Sequence, residues 1–473
     1  ADSADFWITV STSLIPASNG KLMAIVDNGN GTHTYNWKSS YPIAQYLLSM
    51  AITNYAQYTN YYRYSPTDSM PINHFLYPGS LNSNIAQLNK TPGVIEIYAD
   101  RFGEYPFINE KYGHAQFGWS GGMEHQTITS MGGFSDGLIS HELAHMWYGD
   151  AITCKDWHHI WLNEGFATYG EGVIKEAWYG KPGYDNYIVG EMNIAKTAQG
   201  TIWVQDITDV WNGIFNSARS YSKGCVVLHM LRGIVGDSTF YDILRSYTAD
   251  PSLAYGVATT EDFQAVAESV SGMDLNYFFQ EWIYGENYPK YSVVWNTQNI
   301  SGNLYNLSLK ISQNVNSNPA FYTMPIQIKV NFASGDTLIT VFNNEQVQNF
   351  NVTVNGMPTS ISFDPGNWIL KTVNSVVTGV EEDNNLKTFS LEQNYPNPFN
   401  PSTTIKFSLG KAGLTTLKLY DVIGKEVATL VSGEIEAGPH EVTFNATNLP
   451  SGTYFYTLTS GNFSRTQKMM LLK

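Results

Sequence analysis

The chain has only two cysteines, Cys154 and Cys225, in 473 residues. Two thiols make no disulfide framework, so a fold stapled by disulfides is excluded and two buried free thiols are expected. Neither stands at metal-ligand spacing. No run approaches eighteen uninterrupted apolar residues, so no transmembrane segment is expected. Charge is scarce, at 14% of residues, and cations are scarcer: 26 Lys+Arg stand against 41 Asp+Glu, for a net charge of −15. That balance argues against nucleic acid or anionic membrane as a partner. The sequence opens at Ala1 with neither an initiator methionine nor a signal-peptide pattern, as a processed or truncated product would. Aromatics are plentiful at 14%, a level common in secreted, β-rich proteins, and the length suits about three domains.

Against this background one motif stands out: His141-Glu142-Leu143-Ala144-His145, followed after eighteen intervening residues by Glu164. On a helix, residues four apart lie one above the other, so the two imidazoles leave from one face. Zinc takes histidine nitrogens at about 2.0–2.1 Å and a third protein ligand, keeping a fourth position open when the site is catalytic. Glu164 can be the third ligand, reaching in from a second helix. Glu142, beside the first histidine, can serve as general base toward an attacking water. These residues read as a hydrolase holding one Zn2+. The plainer reading is two buried histidines on a core helix, with Glu142 in a salt bridge. The segment Trp161-Leu162-Asn163-Glu164-Gly165-Phe166 weighs against it, because so apolar a stretch is a poor place for an idle glutamate.

Upstream stands Gly121-Gly122-Met123-Glu124-His125, and downstream Tyr221-Ser222-Lys223-Gly224. In order and spacing the four motifs resemble the aminopeptidase N family of gluzincin zinc aminopeptidases, over roughly residues 1 to 371. The resemblance implies peptide substrates and cleavage after the first residue. It makes Glu124 the receptor for the substrate's α-ammonium, a role that suits a buried carboxylate. It makes Gly121, Gly122 and Met123 a strand along which the substrate backbone lies. Tyr221 becomes the residue whose hydroxyl stabilises the oxyanion. Two residues depart from the family's pattern. His125 replaces its usual asparagine, as a titratable neighbour of Glu124 or as the holder of a structural hydrogen bond. Asp150 also stands where asparagine is usual, and is left outside the site. Of the family's N-terminal β domain only the last strands are expected, around residues 4–35, and its helical roof domain is not. An open-cleft zinc endopeptidase, or a catalytically silent surface protein on the same fold, are therefore the alternatives. His158 and His159 read as helix-start residues and His229 as a satisfied core residue.

Along the chain, a multidomain architecture is expected. Residues 1–40 alternate apolar and polar positions and read as remnant strands of an N-terminal β domain. Residues 41–290 read as an α+β, thermolysin-like catalytic domain. Within it a helical pattern runs from Tyr41 to about Tyr62, and Ile95-Glu96-Ile97-Tyr98 and Phe117-Gly118-Trp119 suggest strands. The metal helix is expected over 137–148, capped by Ser135 or Asp136 and stopped by Gly149, and a second helix over about 160–178. Residues 291–373 show short β runs separated by Asn- and Gly-rich turns, a β-sandwich pattern. Polar residues 374–388 read as a linker. From 389 to 473 a small all-β module opens with Tyr395-Pro396-Asn397-Pro398-Phe399-Asn400-Pro401. It resembles the sorting domain read by the type IX secretion system of Bacteroidetes-like bacteria. That resemblance implies type IX secretion machinery as a partner and a secreted or cell-surface location on a bacterium.

Overall fold

The computed structural model describes residues 1–379, 389–461 and 463–473. They divide into two compact units, Ala1–Val377 and Thr378–Lys473. The fold is multidomain: an α+β peptidase-like region, a β-sandwich joined to it, and a C-terminal all-β module.

The first unit opens on a three-stranded antiparallel sheet, with Thr32–Ser39 between Ala4–Ser11 and Lys21–Asp27. Alternate residues Ile8, Val10, Tyr35 and Trp37 face inward, the period of two that a pleated strand imposes. A five-stranded sheet follows. Its order is Ala56–Arg63, Ser69–Leu76, Tyr112–Gln116, Thr129–Met131 and Gly122–Met123, so the glycine–methionine pair is an edge strand.

The region from Tyr41 to Tyr62 is not helical. Only a single turn at Gln45–Leu47 interrupts it before strands Met50–Thr53 and Ala56–Arg63. The Tyr- and Thr-rich run 55–62 packs better on a pleated surface than on a helix. Conversely, Ile95–Tyr98 belongs to a helix. Helices α1 (Leu81–Leu88) and α2 (Thr91–Phe102) succeed one another, and α2 buries Val94, Ile95, Tyr98 and Phe102 on one face. Its period of 3.6 is invisible in a four-residue window. Phe117–Trp119 is a loop after Tyr112–Gln116 rather than a strand.

At the centre of the sheet His74 and His114 face one another, Nδ1 to Nδ1 at 3.0 Å, both wholly buried. Burial pulls His74 down to about 3 and His114 well below its ordinary value. The folded state therefore refuses protons that the unfolded chain accepts below about 6.5. Stability is complete above that pH and lost as pH falls towards 3. Urea unfolding at pH 7, 5 and 4 should show a falling midpoint, with a shallower fall in the His74→Leu, His114→Leu double variant. An equal fall in that variant would remove the pair as the cause.

Six more helices build the rest of the catalytic region: α3 (Asp136–Ala144), α4 (Trp161–Ala195), α5 (Gly224–Val235), α6 (Asp237–Ala249), α7 (Thr260–Ser271) and α8 (Asn276–Trp282). α3 ends a turn earlier than the motif suggested, and the chain tightens through Tyr148 before Gly149 turns it away at φ 142°. α4 is longer than expected, passing a kink at Gly180, where φ is 67°. Two short π-helical segments, Val210–Ile214 and Ser217–Lys223, lead into α5.

The sandwich pairs a four-stranded sheet, in the order Val347–Asn355, Leu304–Asn314, Lys290–Ser301 and Thr372–Thr378, with a three-stranded one, in the order Gly335–Asn343, Met324–Phe332 and Ser360–Phe363. Thr372–Thr378 carries the sandwich, expected to end at residue 373, into residues expected as linker. The remainder of that linker, 380–388, lies outside the described residues. Val293, Leu309, Ile328 and Val330 belong to the same continuous core as the catalytic helices. The Trp282 and Tyr322 rings lie 4.1 Å apart in it. The second unit has two sheets and its own core, around Ile405, Leu417, Tyr456 and Leu471. Its strand Glu426–Ile435 was missed from the pattern.

Candidate active site

α3 begins at Ser135, whose hydroxyl accepts from the Leu138 amide at 3.2 Å. This cap fixes where the helix starts, and hence which face carries His141 and His145. Their Nε2 atoms lie 3.3 Å apart, and Glu164 Oε2, from the first turn of α4, lies 3.4 Å from each. A tetrahedral ion with ligands at about 2.0–2.1 Å has ligand–ligand edges of about 3.3–3.4 Å. The triangle thus has the dimensions of one face of a zinc coordination tetrahedron, and the donor set fits zinc.

The outer ring nitrogens are committed elsewhere. His145 Nδ1 lies 3.0 Å from the Tyr148 carbonyl oxygen, and His141 Nδ1 lies 3.1 Å from Glu171 Oε1. A proton on Nδ1 in each ring leaves both Nε2 lone pairs pointing at the triangle's centre. Glu171 was missed by sequence reasoning. Its signal is its place two turns beyond Glu164 on the same face of α4.

Glu142 is buried beside the triad. A Cβ on Gly122 would stand 2.2 Å from Glu142 Oε1, so the edge strand has to be glycine where it passes the carboxylate. The other oxygen, Oε2, is buried and without a hydrogen-bond partner among the described residues. Burial pushes this carboxyl up to about 8, against the pull of His141 and His145. A cation held by the triad acts in the same direction as those imidazoles. Glu124 follows the edge strand, is buried, and lines the same cavity as Gly121, Gly122 and Met123. Burial raises its carboxyl too, and the nearby His145 opposes the rise.

Tyr221 approaches from the opposite side, its ring stacked on His141 at 5.9 Å and 14°. Burial, then the Glu164 and Glu124 carboxylates, raise its phenol and keep it protonated. The reason it reaches so far in lies one turn away. A Cβ on Gly165 would stand 2.9 Å from Gly224 Cα, so α4 and the start of α5 cross backbone to backbone. The Lys223-Gly224 pair of the sequence motif thus acquires a mechanical meaning: its glycine lets the Tyr221 segment close on the Glu164 helix.

All nine residues singled out from the sequence, His141, Glu142, His145, Glu164, Tyr221, Gly121, Gly122, Met123 and Glu124, line one cavity of about 700 Å³. His125 does not. Its Nδ1 lies 3.0 Å from Ser130 Oγ, and burial lowers it to about 4, so the ring is a neutral structural partner. Asp150 is buried with neither carboxylate oxygen bonded, and burial holds it well above its ordinary value. It stays outside the cavity lining. His158, His159 and His229 bond to the Val204 carbonyl, Thr260 Oγ1 and Tyr184 Oη respectively, and are not ligands. Both cysteines are free and buried.

Two imidazoles and a carboxylate stand at a spacing that could hold a metal ion, with the buried Glu142 alongside. In comparison, residues 123–282 match the peptidase family M1 domain, and residues 393–472 match the secretion system C-terminal sorting domain. Among curated relatives it is similar to aminopeptidase N of Lactococcus lactis subsp. lactis, 33% identical over 162 residues, covering 32% of this chain and 19% of the relative. It is likewise similar to aminopeptidase M1-D of Oryza sativa subsp. japonica, 31% identical over 158 residues, or 32% of this chain and 18% of the relative. The chain thus spans under a fifth of the length of these relatives over the matched region. Among solved structures it resembles Legionella pneumophila aminopeptidase A in complex with aspartic acid, with a TM-score of 0.66 at 19% identity, over 79% of this chain and 45% of that one. It also resembles an M1 zinc metallopeptidase of Deinococcus radiodurans, bound to a Tyr-Ser-Ala substrate, with a TM-score of 0.55 at 24% identity, over 61% and 65% of the two chains. The likeness to these structures is one of fold.

Proposed function

We propose that the protein is a zinc-dependent aminopeptidase that removes N-terminal residues from peptides. The observation that carries the reading is the triangle of His141, His145 and Glu164 with two further buried carboxylates, Glu142 and Glu124, in one cavity. Zinc bound there supplies a Lewis acid for the scissile carbonyl and lowers the pKa of water. Glu142 takes the proton of the attacking water on its unpartnered oxygen and passes it to the departing amine. Tyr221 donates its phenolic proton as a hydrogen bond to the oxygen on which negative charge develops. The Gly122–Met123 edge strand has an unpaired side on which a peptide backbone can lie. Glu124 receives the free ammonium, because a buried carboxylate gains much from a cation and little from a neutral amide. The C-terminal module is proposed to address the protein to the type IX secretion machinery, for release or for retention at the bacterial surface.

The test compares one fluorogenic peptide with a free and with an acetylated N-terminus, each with and without a zinc chelator. Chelator-sensitive cleavage of the free peptide alone is expected. Equal cleavage of both would favour an open-cleft endopeptidase. No cleavage of either, in zinc-loaded protein, would favour a silent surface protein.

A further inference from the structure

Besides its carboxylates and imidazoles, the cavity is lined by a connected run of aromatic rings. Tyr46 meets Trp157 edge-on at 6.1 Å, Trp157 meets Phe215 edge-on at 5.9 Å, and Phe215 meets Trp211 at 6.4 Å. All four line the cavity. The inner end is rigid: the Tyr46 hydroxyl donates to the Gly149 carbonyl at 3.3 Å and accepts from Asn163 Nδ2 at 3.4 Å. The outer end is open, with Trp211 78% exposed and Trp157 38% exposed. Tryptophans left uncovered at the mouth of a catalytic cavity mark a surface that a ligand covers.

Tyr46, at the inner end of the wall, lines the same cavity as Glu124. In the proposed function Glu124 holds the substrate's ammonium, and the inference rests on that reading for its register. The Cα of the first residue is one bond from that ammonium, so its side chain must lie within a few ångströms of Glu124. Tyr46 and Trp157 line the same cavity as Glu124, and ring contacts continue from Trp157 to Phe215 and Trp211. Among the described residues, no lysine or arginine lines the cavity, whereas Glu124, Glu142, Glu164 and Glu171 all do. An acidic first side chain on this wall would face aromatic rings, with no lysine or arginine of the lining to pair it.

We propose that the Tyr46–Trp157–Phe215–Trp211 wall selects peptides whose first residue carries a large apolar side chain and rejects those beginning with aspartate or glutamate. The wall contributes apolar area rather than hydrogen bonds, so it grades substrates by size.

The test is calorimetric binding of L-phenylalanine, L-alanine and L-aspartate hydroxamates to the zinc-loaded full chain. Phenylalanine hydroxamate is expected to bind at least about tenfold tighter than the alanine compound, with the aspartate compound weakest. In Trp157→Ala and Phe215→Ala the phenylalanine-to-alanine ratio should shrink to within about threefold, and retained alanine binding reports an intact fold. A wild-type ratio near one, or a preference for aspartate, overturns the proposal even if neither variant folds. N-acetyl-phenylalanine hydroxamate separates the two readings. If it binds as tightly as the free amine, Glu124 loses its role, while the size preference is still read from the other three compounds.

Discussion

Glu142→Gln is expected to lower kcat by about 10²–10⁴-fold, the usual contribution of a positioned general base, with zinc content unchanged. The substitution is nearly isosteric, so the contact with Gly122 is kept and the triad is not disturbed. What disappears is the capacity of an unpartnered carboxylate oxygen to accept a proton. Metal analysis and turnover on one free-amine peptide check both halves of the statement. Activity within tenfold of wild type at full zinc occupancy would show that another group takes the proton.

Gly122→Ala should cost about 10²-fold in kcat, although it adds one methyl group to a residue with no part in the chemistry. The added Cβ would fall 2.2 Å from Glu142 Oε1, 2.4 Å from Cδ and 2.7 Å from Cγ, distances that atoms do not tolerate. The strand is tied to Thr129–Met131 by its ladder, so the side chain has to yield. Glu142 is buried and can yield only by leaving its place beside the histidines. A displacement of about 1 Å at a catalytic group commonly costs two orders of magnitude. Gly133→Ala is the control, because a Cβ there meets nothing within 4 Å and its φ is not positive. Wild-type kcat in Gly122→Ala would mean that the edge strand does not set the position of the base.

The metal triangle was legible in the sequence because its geometry is mostly local. A spacing of four on a helix puts His141 and His145 on one face whatever surrounds them, and Ser135 announces where that helix begins. The resemblance then suggested the roles proposed for Glu124 and Tyr221. What escaped is tertiary. Glu171 becomes the partner of His141 only when α3 lies against α4, and its place two turns beyond Glu164 is a signal only once that packing is known. The crossing at Gly165 and Gly224 joins residues far apart in the chain. Among the elements, the Tyr-rich strand Ala56–Arg63 was misread as helix because its accessibility alternates while its residue types do not, with Asn60 on the more buried face and Tyr61 on the exposed one. α2 was misread because its β-branched start, Val94-Ile95, has the composition of a strand, and only the longer run to Phe102 shows the helical face.

The single core that runs from the catalytic helices into the sandwich has a consequence for how such a chain can evolve. The sandwich cannot be exchanged or discarded as a cassette, since Trp282 and Tyr322 fill each other's space and a change at one constrains the other. Drift in the sandwich interior is therefore felt as lost enzyme, far from any substrate. The C-terminal module is built on the opposite plan. Among the described residues its buried hydrophobic cluster is drawn from residues 391–471, so a graft onto unrelated cargo would carry its own core with it.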